Sequence, residues 1–212
     1  MWELIKSGGW TMVPILLCGA FSVAIILERF WSLRRREVIP ATLGEEVRQW
    51  VRGGRLEAAH IETLRKNSPL GELLAAVLDV RHRPHEQVKE RVEDAGRHIA
   101  HDLERFLNPL GTIAGVAPLL GLLGTVFGMI RMFFGILSSG VGDAMHLAGG
   151  IGEVLVSTAA GLCVAIPSLL FHRYFRSRVA AYLMAMEKQA MALIDTLEGS
   201  GSTTPRARRS GK

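Results

Sequence analysis

A run of 25 mostly apolar residues, 147–171, constrains this chain more than any other stretch. A helix of that length is long enough to cross the hydrocarbon core of a bilayer with some tilt. Its one ionisable side chain is Glu153, and the hydroxyl pair Ser157 and Thr158 follows. A carboxylate at membrane depth costs about 2.5–3.5 kcal/mol, so Glu153 needs a partner, water or a proton.

Two further apolar runs, 10–27 and 108–130, are also of bilayer-spanning length. No strand-like alternation of useful length occurs between or after them. Instead, the segment before the second run repeats apolar residues at helical spacing: Val88, Val92, Ala95, Ile99 and Leu103. We therefore predict an all-α polytopic membrane protein with three transmembrane helices. The second and third of these extend as long helices into a cytoplasmic helical domain.

The net charge of +5 and the pI of about 9.7 would suit nucleic-acid binding, but the positions of the charges indicate a membrane topology instead. Of the 25 Lys and Arg residues, only Lys6 and Arg131 lie outside the segments 28–108 and 172–212. Basic residues accumulate on the cytoplasmic side of membrane proteins. We expect both segments in the cytoplasm, the N-terminus in the periplasm and no nucleic-acid partner.

The predicted boundaries follow from these runs. A cleaved signal peptide is disfavoured, because no basic region precedes the first apolar run and no small-x-small site follows it. The helix before the second run is expected to continue straight into it. The second span ends at 130, or at 137 if the apolar residues after Arg131 belong to it. The segments are a periplasmic segment 1–9, transmembrane helix 10–27, cytoplasmic helical domain 28–108, transmembrane helix 109–130, periplasmic turn 131–146, transmembrane helix 147–171, cytoplasmic helix 172–198 and disordered basic tail 199–212.

Within the cytoplasmic domain, Asn67, Ser68 and Pro69 predict the start of a helix. Ser68 suits the N-cap and Pro69 suits the first helical position. Small residues in the spans are typical of close helix packing, and a proline is expected to kink the third span. The residues predicted for these packing and kink roles are Gly121, Gly124, Gly128, Gly161 and Pro167.

Polar residues in the spans have two interpretations. If the small-residue faces line a lumen, Thr125 and Thr158 supply hydroxyls and Glu153 supplies a carboxylate, which suits proton relay. Alternatively, each threonine bonds a carbonyl of its own helix. Arg131 lies either at the outer interface or in a polar vestibule.

The sequence shows few other residues that could bind a metal or catalyse a reaction. His82 with His85, and His98 with His101, have i, i+3 spacing but no Cys or carboxylate set around them, so we expect no metal site and no cofactor. No phosphate-binding loop, nucleophile elbow or HExxH motif occurs. We predict that the chain is not an enzyme.

Three stretches resemble the MotA/TolQ/ExbB proton-channel family, and most closely ExbB within its ExbB/TolQ branch. They are ILERFWSLRR at 26–35, APLLGLLGTVFGMI at 117–130 and GGIGEVLVSTAAGLCVAIPSLL at 149–170. The order of spans and the insert between the first two are also similar, so the resemblance covers most of 10–198. MotA-type proteins have four transmembrane spans, so the three spans predicted here favour the ExbB/TolQ branch.

The resemblance implies a homopentamer in a bacterial inner membrane, built around two copies of an ExbD- or TolR-like single-span subunit. That subunit brings a proton-binding aspartate. Thr125 and Thr158 would line the pore facing it, with Glu153 on the pore side of the third span. Proton flow would energise a TonB-like protein that crosses the periplasm, for outer-membrane transport. The alternative is a TolQ-like subunit of the Tol-Pal envelope-integrity motor, acting on a TolA-like protein.

Two other classes of protein remain open from the residues alone. One is a solute or ion transporter that uses Glu153 as its site and works without a second subunit. The other is a structural membrane scaffold whose cytoplasmic helices recruit partners, in which Glu153 tolerates leucine.

Overall fold

The computed structural model describes residues 9–53, 58–139 and 144–201. Within these ranges every regular element is a helix, so the predicted all-α fold is confirmed. The helices are α1 (Met12–Ser32), α2 (Arg35–Val38), α3 (Leu43–Arg52), α4 (Ala58–Asn67), α5 (Pro69–Asp79), α6 (His85–Glu104), α7 (Leu107–Ser139) and α8 (Ala144–Gly201). The chain divides into two compact units. The first comprises α1, α7 and α8 up to Arg176, and the second comprises α2 to α6 and α8 from Ser177.

Three helices of the described chain are long and apolar enough to cross a membrane, as the sequence predicts. They are Met12–Ser32, Leu107–Leu137 and Ala148–Gly199. Large apolar side chains point outward from them, as suits a surface covered by lipid or by other helices. Among the most exposed are Leu27, Leu119, Phe133, Phe134, Leu137, Leu155 and Leu170.

In the first unit, α1 runs parallel to α8. Gly19 lies against Val164, and the Oγ atoms of Ser22 and Ser168 are 2.6 Å apart. Both serines are buried, and Ser168 donates to the carbonyl of Val164 at 2.6 Å. The Ser22 hydroxyl therefore donates to Ser168, and both hydroxyls are satisfied where water is absent.

An aromatic cluster lies between the C-terminal end of α1 and the middle of α8. The Phe30 ring meets Phe171 at 5.4 Å and Phe175 at 5.2 Å between centroids, both in edge-on geometry. Phe175 is buried with 1% of its surface exposed. Edge-to-face pairs add about 0.5–1.5 kcal/mol beyond the apolar area that they bury.

A two-residue turn, Arg105 and Phe106, interrupts the helix between the end of α6 at Glu104 and the start of α7 at Leu107. The prediction that one helix runs straight into the second span was wrong. Pro109 explains the break, because proline lacks an N–H and its ring clashes with the carbonyl four residues back, that of Arg105. Arg29 lies beside this turn with only 4% of its surface exposed. Its guanidinium sits 4.8 Å from the Phe106 ring centre and 2.7 Å from the Glu28 carboxylate, which offsets the cost of burying the charge.

The second unit is organised around α5. Every residue from 70 to 78 except Glu72 is buried. The Gly71 N–H donates to the Ser68 hydroxyl at 3.1 Å, which confirms the predicted N-cap. A Cβ on Gly71 would lie 2.1 Å from the carbonyl oxygen of Leu64, so α4 and α5 approach each other too closely for any side chain there.

The second half of α8 packs into this unit through a buried stripe of Val179, Tyr182, Met186, Ala190 and Leu193. Buried Tyr182 donates its hydroxyl to the carbonyl of Leu33 at 2.9 Å. Near the end of the helix, Glu198 lies 2.6 Å from Nδ1 of His85 at the start of α6.

Candidate functional site

Helices α7 and α8 pack backbone to backbone. A Cβ on Gly161 would lie 2.7 Å from the carbonyl oxygen of Ala117 and 3.1 Å from the Cα of Gly121. A Cβ on Gly121 would lie 3.0 Å from the Ser157 carbonyl and 3.3 Å from the Cα of Thr158. Fully buried Ser157 also donates its hydroxyl to the Gly121 carbonyl at 3.0 Å. Small residues thus allow a contact in which one side-chain hydroxyl joins the two helices.

The same contact continues toward the start of α8. A Cβ on Gly124 would lie 2.1 Å from the Ser157 Oγ and 2.8 Å from the Oγ1 of Thr11, which precedes α1. A Cβ on Gly128 would lie 2.7 Å from a methyl group of Val154. All three helices of the first unit therefore meet at this level.

Thr125 and Thr158 directly follow two residues of this contact, Gly124 and Ser157. Thr158 donates to the carbonyl of Val154 at 3.0 Å, and Thr125 donates to that of Leu122 at 2.6 Å. Both side chains are half-buried, whereas Ser157 is fully buried. Each threonine uses its proton within its own helix, and its oxygen can still accept a hydrogen bond.

The Glu153 carboxylate has an ion-pair partner within the chain. Its Oε1 accepts a hydrogen bond from Nη1 of Arg131 at 2.8 Å, in an ion pair between α8 and α7. The Glu153 side chain is 13% exposed and that of Arg131 is 59% exposed. Gly9 approaches the same carboxylate, since a Cβ there would lie 1.9 Å from Oε1.

Pro167 lies inside α8, which continues through it as a helix. A proline at this position removes the hydrogen bond to the carbonyl of Cys163, four residues back. The predicted kink stays a prediction.

Sequence reasoning missed the partners of Glu153. It required a partner for that carboxylate but left Arg131 at an interface or in a vestibule, and it assigned no role to Gly9. One signal was present in the sequence, because Arg131 is the basic residue between the second and third apolar runs. Among the residues that the structure describes, no three His, Cys, Asp or Glu side chains are grouped as metal ligands would be.

Comparison with known proteins agrees with the resemblance seen in the sequence. The model of the MotA/TolQ/ExbB proton channel family matches residues 61–188. The biopolymer transport protein ExbB-like 1 of Synechocystis sp. is 36% identical over 179 residues, 81% of this chain and 68% of that protein. ExbB-like 3 of the same organism is 33% identical over 192 residues, 86% of this chain and 88% of that protein.

The biopolymer transport protein ExbB of Pseudomonas putida is 29% identical over 196 residues, 85% of this chain and 58% of that protein. These relatives are transport proteins, and the family is one of channels, not of enzymes. Together with the three apolar helices, they identify a multi-pass membrane protein. The chain belongs to the MotA/TolQ/ExbB proton channel family.

Proposed function

We propose that this chain is the ExbB-like subunit of a motor in a bacterial inner membrane that is driven by the proton-motive force. Five copies surround the single-span helices of two ExbD-like subunits, and the assembly energises a TonB-like protein for outer-membrane transport. The N-terminus lies in the periplasm and the C-terminus in the cytoplasm. The names of the relatives favour this task over the TolQ-like alternative.

The placement of the hydroxyls carries the proposal. Ser157 is turned into the three-helix unit, while Thr125 and Thr158 stay half-exposed at its rim. Their protons are committed to carbonyl oxygens of their own helices. They therefore present acceptor oxygens to a neighbouring helix, and a protonated aspartic acid of a second subunit is a donor that fits them.

Three helices from one chain cannot enclose an aqueous path, so the pathway needs other copies or another subunit. Gly149 and Gly152 lie on α8 near Glu153, and a Cβ on either would meet nothing within 4 Å among the residues that the structure describes. Such small residues let a further helix approach closely. The outward apolar surface of α1 and α7 suits lipid and neighbouring copies.

The available energy is sufficient for mechanical work. Each elementary charge that crosses the membrane releases about 2.3 kcal/mol per 100 mV. A few protons per cycle therefore match the free energy of a conformational change in the partner protein.

Proton flux in liposomes tests the proposal. The chain is co-purified with a single-span, aspartate-bearing subunit from its source, and collapse of a pH gradient is followed with and without that subunit. We expect flux only from the complex, and Thr158→Val should lower it about tenfold or more, because a positioned proton-relay group contributes at least that much.

Thr112→Val is the matched control, since Thr112 lies on the membrane-spanning helix α7 and, like Thr158, donates to a carbonyl four residues back, that of Asn108 at 3.0 Å. It should leave flux unchanged. Equal flux from the chain without a second subunit would indicate a transporter of another kind. Full motor activity with Glu153→Leu would indicate a scaffold.

A further inference from the structure

The carboxylate of Glu153 is held on two sides. Arg131 donates to Oε1 at 2.8 Å from α7, and Gly9 approaches the same oxygen from the segment just before α1. A Cβ on Gly9 would lie 1.9 Å from Oε1, 2.9 Å from Cδ of Glu153 and 3.4 Å from Nη1 of Arg131. Three separate parts of the chain thus meet at one oxygen atom.

Two features of the structure favour glycine at position 9. Its φ of +68° lies in the left-handed region that side chains disfavour, and no Cβ fits beside the carboxylate. The close approach of the backbone limits the directions in which the Glu153 side chain can turn.

Glycines of α7 and α8 also pack closely against side chains of the opposite helix beside the ion pair. A Cβ on Gly128 would lie 2.7 Å from Val154, and one on Gly150 would lie 3.1 Å from Met132. These contacts lie within one turn of Glu153 and Arg131, so α7 and α8 are close together at the level of the ion pair.

We infer that Arg131 is a positioning residue of the proton pathway, which together with Gly9 holds the Glu153 carboxylate at the junction of α1, α7 and α8. The guanidinium supplies the counter-charge that a carboxylate at membrane depth requires. Release from Arg131 is then the step that lets Glu153 turn toward a pathway between subunits. The inference rests on the proposed function for that pathway, but the ion pair can be tested without it.

The first test uses the purified full-length chain in lipid nanodiscs. Thermal midpoints are measured for wild type, Arg131→Gln, Glu153→Gln and the double variant. We expect each single change to lower the midpoint by about 2–4 °C and the double variant to fall no further, because both remove one interaction.

Arg97→Gln is the control, since it removes an exposed ion pair with Asp94 and should shift the midpoint by less than about 1 °C. Strictly additive shifts at Arg131 and Glu153 would show that the two side chains do not act together, and would overturn the inference.

The second test measures proton flux of the complex in liposomes. Arg131→Gln should lower proton flux about tenfold, since misplacement of a reacting group has effects of at least this size. Arg131→Lys, which keeps the positive charge, should conduct within about twofold of the wild type. The charge swap Arg131→Glu with Glu153→Arg should restore the thermal midpoint but not the flux, because the carboxylate then lies on the wrong helix.

A merely structural pair predicts that the swap restores both quantities, and that result would overturn the positioning role, as would full flux with Arg131→Gln. If the wild-type complex conducts no protons while the midpoints still couple, the proposed function fails and the ion pair stands. If the complex conducts and the midpoints are additive, the inference fails and the function stands.

Discussion

Replacing Gly161 with alanine tests the contact between α7 and α8 directly. The added Cβ would lie 2.7 Å from the carbonyl oxygen of Ala117 and 3.1 Å from the Cα of Gly121. Both are backbone atoms, which cannot turn aside as a side chain does. To bring the first distance to about 3.5 Å, where non-bonded attraction is best, the helices must separate by roughly 0.8 Å.

The cost of that separation is about 1–3 kcal/mol, typical of overpacking in a filled interior. Alanine is a better helix former than glycine by about 1 kcal/mol, which offsets part of the loss. Gly115→Ala is the matched control, because a Cβ there meets nothing within 4 Å in the described part of the chain and only the helix propensity changes.

The difference between the two variants is therefore the cost of overpacking alone. A value near 2 kcal/mol corresponds to a midpoint about 4–8 °C lower for Gly161→Ala than for Gly115→Ala. Thermal unfolding of the purified chain in detergent, followed by intrinsic tryptophan fluorescence, measures both. Equal midpoints would show that the helices approach less closely at Gly161 than these distances require.

Two further predictions concern the second unit. Ser68→Ala removes the N-cap of the buried helix α5 and should lower the free energy of unfolding by about 1 kcal/mol, measured as a shift of the thermal midpoint. Ser68→Asp should keep most of the wild-type stability, because aspartate also caps helices. The hydrogen bond from Arg48 lowers the pKa of Glu45 below its ordinary value of 4.5. The ionised Glu45 side chain therefore stabilises the folded state above pH 4.5, and this stabilisation is lost as the pH falls through the folded-state pKa. Arg48→Gln should return the Glu45 pKa toward 4.5 in an NMR titration of side-chain carboxyl groups, and an unchanged titration would contradict the assignment.

The helices of this chain were predictable because their signals are local. Apolar runs of bilayer length marked the three long helices, and Ser68 followed by Pro69 marked the start of α5. The break before α7 was also predictable in principle, because the clash of Pro109 with the carbonyl of Arg105 follows from spacing alone. It was missed because the apolar periodicity continued across it.

The contacts of charged residues were not predictable in the same way. Arg131 and Glu153 are 22 residues apart, and their pairing depends on α7 continuing past residue 130. Gly9 meets Glu153 only because α1 and α8 run in parallel, which no short-range pattern encodes. Arg29 lies in the segment 28–108, whose basic residues predict a cytoplasmic location, yet its side chain is buried against Phe106.

The hydroxyl pair Ser22–Ser168 has a consequence for how the first unit assembles. Apolar side chains pack against one another in many rotations of a helix about its axis, and hydrocarbon does not penalise sliding by a turn. These two hydroxyls meet at 2.6 Å in one alignment of α1 and α8, and another alignment would remove this hydrogen bond between the helices. The pair therefore favours one register of α1 against α8 over the alternatives.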